Sequence, residues 1–411
     1  MSCRPAMQLS HHKESRCHPF RLVVLAVVIA LLPAAASPTR AGFPGLEEPG
    51  LTPVRFEPDI LTAEYQPHGR LTFSPNQRRL YWSAFPAEGG ETILTATLKR
   101  GVVLKLREAP FAQGEGTLDG GPAFSDDGQR LFFNSDRPLP EQTVRPPQAI
   151  WYVDKTSTGW GEPSPVVSTA DPDWLRGGSS VSRDGTLYFQ GRPIAGGSYS
   201  APPRLYRSRL VDGEYGPPEL LRGRMRRVEA VDPFIDPDER FMLFAAPGRY
   251  GVMDLYVSFR KANGSWARPI NLATRTGTDP DFFDRFPSLS RDGKYLFFVR
   301  AIGDFFPGDD AHFYWVSSEA LKPRKRPKNL RVTAAAGGLA IRWKDRSKDE
   351  LEFHLERSAG GAGWTRIATL PRNGRRHTDT DVSVGTQYCY RVRAANFGGT
   401  SEPSNQSCRT P

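Results

Sequence analysis

Five segments of this chain repeat one pattern at a nearly constant interval, and that period restricts the folds open to it more than any other feature. The segments are Gly69–Ser83 (GRLTFSPNQRRLYWS), Gly121–Ser135 (GPAFSDDGQRLFFNS), Ser179–Phe189 (SSVSRDGTLYF), Asp232–Phe244 (DPFIDPDERFMLF) and Phe286–Val299 (FPSLSRDGKYLFFV). Aligned on Ser74, Ser125, Ser182, Asp236 and Ser290, they lie 51, 57, 54 and 54 residues apart. In each unit a short apolar stretch runs into Ser/Asp-x-Asp-Gly or a variant of it. That is a tight turn, in which the Asp bonds its own backbone and the Gly takes positive φ. An aromatic strand follows, such as Leu131-Phe132-Phe133 or Tyr295-Leu296-Phe297-Phe298, and then a third strand such as Ile150-Trp151-Tyr152-Val153. A fourth is signalled by Gly159-Trp160-Gly161, Tyr215-Gly216-Pro217 and Ser265-Trp266-Ala267. Units one and four depart from the turn pattern, with Pro75-Asn76-Gln77 and Pro237-Asp238-Glu239. The 39 Gly and 37 Pro fit a chain of many turns, and 11% aromatic residues argue against disorder.

Four short strands repeated radially make the blade of a β-propeller, which buries its two faces only by stacking on neighbours and closing a ring. The Ser-x-Asp-Gly-x-x-Leu-x-Phe hairpin followed by Ile/Leu-Tyr-Val resembles the TolB-type, WD-like propeller repeat over about residues 44–322. Five blades are expected, or six if one unit is disguised. The fifth unit shows no fourth strand before Lys322, so Pro53-Val54-Arg55-Phe56 is expected to complete the last blade and lock the ring.

The ends of the chain read differently. Residues 1–41 combine a basic start, an apolar run from Leu22 to Leu32 and small residues near Ala36 and Ala41, the pattern of a secretory signal peptide. The run is too short to span a bilayer, which takes about 20 residues. A periplasmic or extracellular location is expected, with no transmembrane span in the mature chain and a monomeric protein. After a basic linker, residues 323–328 (PRKRPK), residues 329–411 read as strands, with Trp343 as a core anchor. Gly385-Thr386-Gln387-Tyr388-Cys389-Tyr390-Arg391-Val392-Arg393-Ala394 resembles strand F of the fibronectin type III sandwich, with Tyr388 as its tyrosine corner. The fold class is therefore all-β: a propeller followed by a sandwich. Cys389 and Cys408 are the cysteines outside the first 41 residues, and a hairpin turning at Gly398-Gly399 sets them opposite one another as a disulfide.

Catalytic signatures are sparse. Gly196-Gly197-Ser198-Tyr199-Ser200 and Gly399-Thr400-Ser401-Glu402-Pro403 both lack the last Gly of a nucleophile elbow, and no P-loop, HExxH or paired CxxC occurs. The four His of the mature region are scattered, and no cofactor is expected. Calcium at acid-bearing turns such as Asp279-Pro280-Asp281 or Asp309-Asp310 is the alternative. Glu229, Asp232, Asp281, Asp284 and Arg285 fall where first strands begin, at the expected channel rim. Two such carboxylates could serve a glycosidase or lyase. The reading preferred here is a non-catalytic binding or scaffold protein that recognises a protein or an anionic glycan of the cell envelope through the propeller faces. Nucleic acid is not an expected partner. The charge is +10 overall, and residues 324–411 hold 17 Lys/Arg against 8 Asp/Glu, while 42–323 are slightly acidic. Arg372, Arg375 and Arg376, with the PRKRPK segment, form a basic region suited to polyanions.

Overall fold

The computed structural model describes residues 43–411 except 44, 57–64, 87–88, 114–115, 141–144, 146, 197, 249–250, 262, 274–281, 303–309 and 324. The expected signal peptide therefore lies outside the described residues, as do Asp281 and the acids at 279 and 309. No helix among the described residues is long and apolar enough to cross a membrane.

The architecture is all-β and propeller-like. Up to Lys322 the strands form five antiparallel sheets in chain order, plus a small hairpin, Leu210–Val211 with Glu214–Tyr215. The middle strands (Arg79–Pro86, Arg130–Ser135, Leu187–Ala195, Phe241–Pro247, Tyr295–Ile302) each carry an apolar stretch such as Leu131-Phe132-Phe133 because each buries both of its faces there. Leu131 and Phe133 pack toward Tyr81 and Ile93 of the first sheet. The intervening Phe132 packs toward Val181 and Phe189 of the third. Tyr188 meets Phe244, and Leu243 meets Leu296 and Phe298, at the next two interfaces. Phe297 and Trp315 return to Leu80 and Trp82 of the first sheet, so the five share cores around a closed circuit.

The closing strand is where the sequence placed it. Val54 pairs with Trp315 and Arg55 with Tyr314, which makes Val54–Arg55 the outer strand of the sheet built by Phe282–Leu289, Tyr295–Ile302 and Asp310–Ser317. The other fourth strands come later than their signals. Ser164–Pro165, Glu219–Leu220 and Ile270–Asn271 have two residues each. The Gly-Trp and Ser-Trp segments instead tuck their indoles into the sheet interfaces. Trp266 is buried, and Trp160 Nε1 donates to Tyr81 Oη at 2.9 Å.

One local design repeats at the turns. Ser125 Oγ donates to Asp127 Oδ1 (2.6 Å), which also accepts from the Gln129 amide (3.0 Å). Ser182 with Asp184 and Ser290 with Asp292 repeat this, and Ser74 with Asn76 does so in the first unit. Gly128, Gly185 and Gly293 have positive φ there. In the departing units Gln77 and Glu239 take the same left-handed conformation.

Beyond Lys322, one sheet holds Lys328–Ala335, Gly338–Lys344 and Arg376–Asp379. The other holds Glu352–Ala359, Thr365–Pro371, Tyr388–Asn396, Gly399–Thr400 and Ser407–Arg409. They enclose Leu339, Ile341, Trp343, Tyr390 and Val392. Tyr388 Oη accepts from the Ser383 amide at 3.0 Å, the contact expected of a tyrosine corner. Cys389 and Cys408 lie opposite each other and are joined. The hairpin turns at Phe397-Gly398, one residue early, because Asn396 pairs with Gly399 and the chain leaves the ladder before it rejoins at Ser407. Closing this loop stabilises the domain by about 3 kcal/mol in the chain-entropy picture. Cys389→Ser with Cys408→Ser should lower the denaturant midpoint of the C-terminal transition accordingly, and a reductant should lower wild type to the same point but not the variant.

The C-terminal unit docks on the fourth sheet. Phe397 stacks on Phe241 with centroids 4.2 Å apart, and Asn396 Nδ2 donates to Leu321 O at 2.8 Å. Arg372 does not join an outward basic patch. Its guanidinium lies over the Phe259 ring of the fourth sheet and donates to Lys348 O.

Candidate functional site

The innermost strands meet around an axial channel, and those of sheets two to five distort in the same way. The register slips between Gly120 and Ala123, Gly177 and Ser180, Val231 and Phe234, and Arg285 and Ser288. At each slip one residue adopts positive φ: Gly121, Gly178, Asp232 and Phe286. These are β-bulges, which bend a strand and re-aim its side chains. Close packing adds to the preference for glycine at one of them, since a Cβ on Gly121 would sit 2.5 Å from Asn134 Oδ1. The bulge amides are held by polar side chains of the preceding sheet: Asn134 Oδ1 accepts from Gly178 N and Gln190 Oε1 from Asp232 N.

In the first sheet, the residue four before the turn anchor is Arg70, and it plugs the channel. Its side chain is buried and crosses the axis. It donates to Ser179 O (2.7 Å), Pro287 O (3.1 Å), Asp232 O (3.3 Å) and Pro233 O, carbonyls of the third, fourth and fifth sheets. Burial pushes its guanidinium down to about 10, which leaves it charged at neutral pH.

Beyond this plug, toward the turns, lies a cavity of about 300 Å³ lined by all five innermost strands. Its mouth is belted by charge. Arg183 Nε donates to Asp126 Oδ2 at 2.8 Å, and its Nη1 reaches Asp238, linking the second, third and fourth sheets. Arg291 reaches Phe73 O (3.3 Å), Ser125 O (3.0 Å) and Asp126 O (3.3 Å). Desolvation lowers the pKa of Arg291. Sequence reasoning missed these residues, although a signal was present. They occupy the variable position of the repeated turn, which reads Pro75, Asp126, Arg183, Pro237 and Arg291 through the five units.

Among the described residues, the acids expected at the rim take separate partners. Asp232 is buried and bound by Arg285 through two bonds, Nε–Oδ2 at 2.8 Å and Nη2–Oδ1 at 3.1 Å. Asp284 is buried elsewhere, gripped by Arg300 at 2.7 and 2.8 Å. Burial raises its pKa, and it feels the charge of Asp254 in the neighbouring sheet rather than that of Asp232. Asp232 and Asp284 are thus held by different arginines. Glu229 is half exposed, 4.0 Å from Arg204. No group of three or more metal-ligating side chains occurs among the described residues.

No protein-family model matches the chain. Among solved structures, a protein assigned as TolB from Agrobacterium tumefaciens is 17% identical, with 74% of this chain and 81% of that one covered and a TM-score of 0.38. The α-L-arabinofuranosidase PaAbf62A from Podospora anserina, solved with cellotriose, is 12% identical (62% and 90% covered, TM-score 0.40). An Fn3-like protein from Clostridium thermocellum is 26% identical over 21% of this chain and 94% of that one, with a TM-score of 0.19.

Proposed function

We propose that the chain is an exported binding protein, a five-bladed propeller carrying a fibronectin type III-like sandwich, and that it recognises a protein or glycan partner at the channel mouth on the turn side. One observation carries this reading: a cavity of about 300 Å³ whose floor is sealed by Arg70 and whose mouth presents Asp126, Arg183, Asp238 and Arg291. A dead-ended cavity with a charged rim suits capture of a protruding polar segment, with rim charges setting register and on-rate. Asp232 and Asp284 are each paired with an arginine, Arg285 and Arg300, and such pairing favours the charged carboxylate over the protonated one.

The alternative, a glycosidase or lyase, draws on Asp284, whose carboxyl burial holds above its ordinary pKa. The two readings separate by experiment. The full chain should retain a discrete envelope component, and Arg183→Ala with Arg291→Ala should weaken that retention about tenfold or more, about 1.4 kcal/mol. Unchanged retention removes the mouth from consideration. Turnover of a glycan panel by wild type, lost in Asp232→Asn or Asp284→Asn variants that still fold, would establish the enzyme instead.

A further inference from the structure

The C-terminal unit carries an arrangement that its own stability does not explain. In the sheet of Lys328–Ala335, Gly338–Lys344 and Arg376–Asp379, Arg331 lies directly opposite Arg342, and Arg342 directly opposite Arg376. Lys328 lies opposite Lys344 in the same ladder. All five are exposed. Their alternate neighbours Leu330, Val332, Ile341 and Trp343 fill the core, so the cations stand on the outer face. Like charges set directly across a sheet destabilise it. No side chain of the five makes an ion pair or hydrogen bond among the described residues. Arg372 does not extend the array and is committed to the fourth sheet.

We propose that this face is a binding site for a linear polyanionic glycan. Strands lie about 4.8 Å apart, so the three arginines form a row about 10 Å across, with the lysine pair as a second row about 7 Å along the strands. Planar guanidinium forks bind carboxylate or sulfate groups in two-point contacts, and successive anionic groups along an extended polymer can occupy both rows. The face holds no exposed aromatic ring on which bases could stack, which disfavours single-stranded nucleic acid. It also has no exposed large apolar side chain to enter a bilayer, which disfavours a membrane surface. This site is separate from the channel mouth and does not depend on it.

The full chain would be titrated with dextran sulfate, polygalacturonate and neutral dextran over a range of salt. The test variant is Arg331→Thr/Arg342→Thr/Arg376→Thr. A charge-matched control, Arg224→Ala/Arg226→Ala/Arg227→Ala, removes three exposed arginines from the turn Arg224–Arg227 on the third sheet's outer side. Wild type and the control should bind one or both anionic polymers, and not neutral dextran. The ladder variant should bind at least tenfold more weakly, with a salt slope smaller by about 2 to 3, as three lost charge contacts require. Its melting temperature should equal or exceed that of wild type, because the like-charge rows are gone. The polymer that binds more tightly distinguishes sulfate from carboxylate recognition. Equal loss in the control, undiminished binding in the ladder variant, or tighter binding of wild type to single-stranded DNA or to anionic phospholipid vesicles would overturn the proposal.

Discussion

Arg70→Leu should destabilise the protein by about 3–5 kcal/mol, a large part of a typical folding free energy. The reason lies in what the side chain leaves behind. Four carbonyls from three other sheets point at the axis with Arg70 as their donor, and Asp232 shares its electrostatic neighbourhood. Leucine matches the stem but donates nothing, so these acceptors lose their partner in a buried site. Arg70→Lys should recover part of the loss, since an ammonium keeps the charge but cannot reach four carbonyls around the axis at once. Denaturant unfolding of the three proteins gives the comparison. A cost below about 1 kcal/mol for leucine would mean that water enters and replaces the guanidinium. The same variant opens the cavity floor, so partner retention at the mouth should weaken even under conditions where the fold persists.

Much of this fold could be read from the chain because its signals are local. The Ser-x-Asp-Gly turn is made by side chains bonding backbone two residues away, so the pattern carries its own geometry. Strands buried on both faces announce themselves as aromatic runs. The missing fourth strand of the last unit pointed back to Val54-Arg55. Cys389 and Cys408 could be paired from the parity of Tyr388, Tyr390, Val392 and Ala394. The site was harder to read because its bonds are distant. Arg70 binds carbonyls more than a hundred residues away, and a carbonyl has no sequence signature. The single hint was an arginine where units two and three carry Gly121 and Gly178. Asp284 was placed on the rim by its position near the start of a strand. The bulge between Arg285 and Ser288 breaks the alternation on which such placement depends, and Asp284 points into a sheet interface while Arg285 reaches Asp232. The short outer strands were misplaced because Trp160 and Trp266 make isolated bridges and pack their indoles at the interfaces, while the two-residue strands follow after them.

The second large effect concerns closure. Phe56→Ala should cost about 3–5 kcal/mol. Its ring is buried edge-on to Phe297 (5.1 Å) and Trp315 (5.2 Å), with Phe43 at 5.9 Å, and its amide donates to Phe313 O at 2.8 Å. The strand it follows pairs through two residues, so this aromatic packing, more than the ladder, holds the chain's early segment on the fifth sheet. Deleting residues 43–56 should do something different in kind. It uncovers Asp310–Ser317 as an edge and exposes Trp315 and Phe297 beside it. An uncovered edge next to an apolar face pairs with other chains. Phe56→Ala should therefore stay monomeric with a lowered midpoint, whereas the deletion should self-associate with concentration, and a peptide of residues 43–56 added in trans should reverse it. Sedimentation of the two proteins with and without the peptide tests this. A deletion variant that remains monomeric and as stable as wild type would show that the sheets close the ring without this strand.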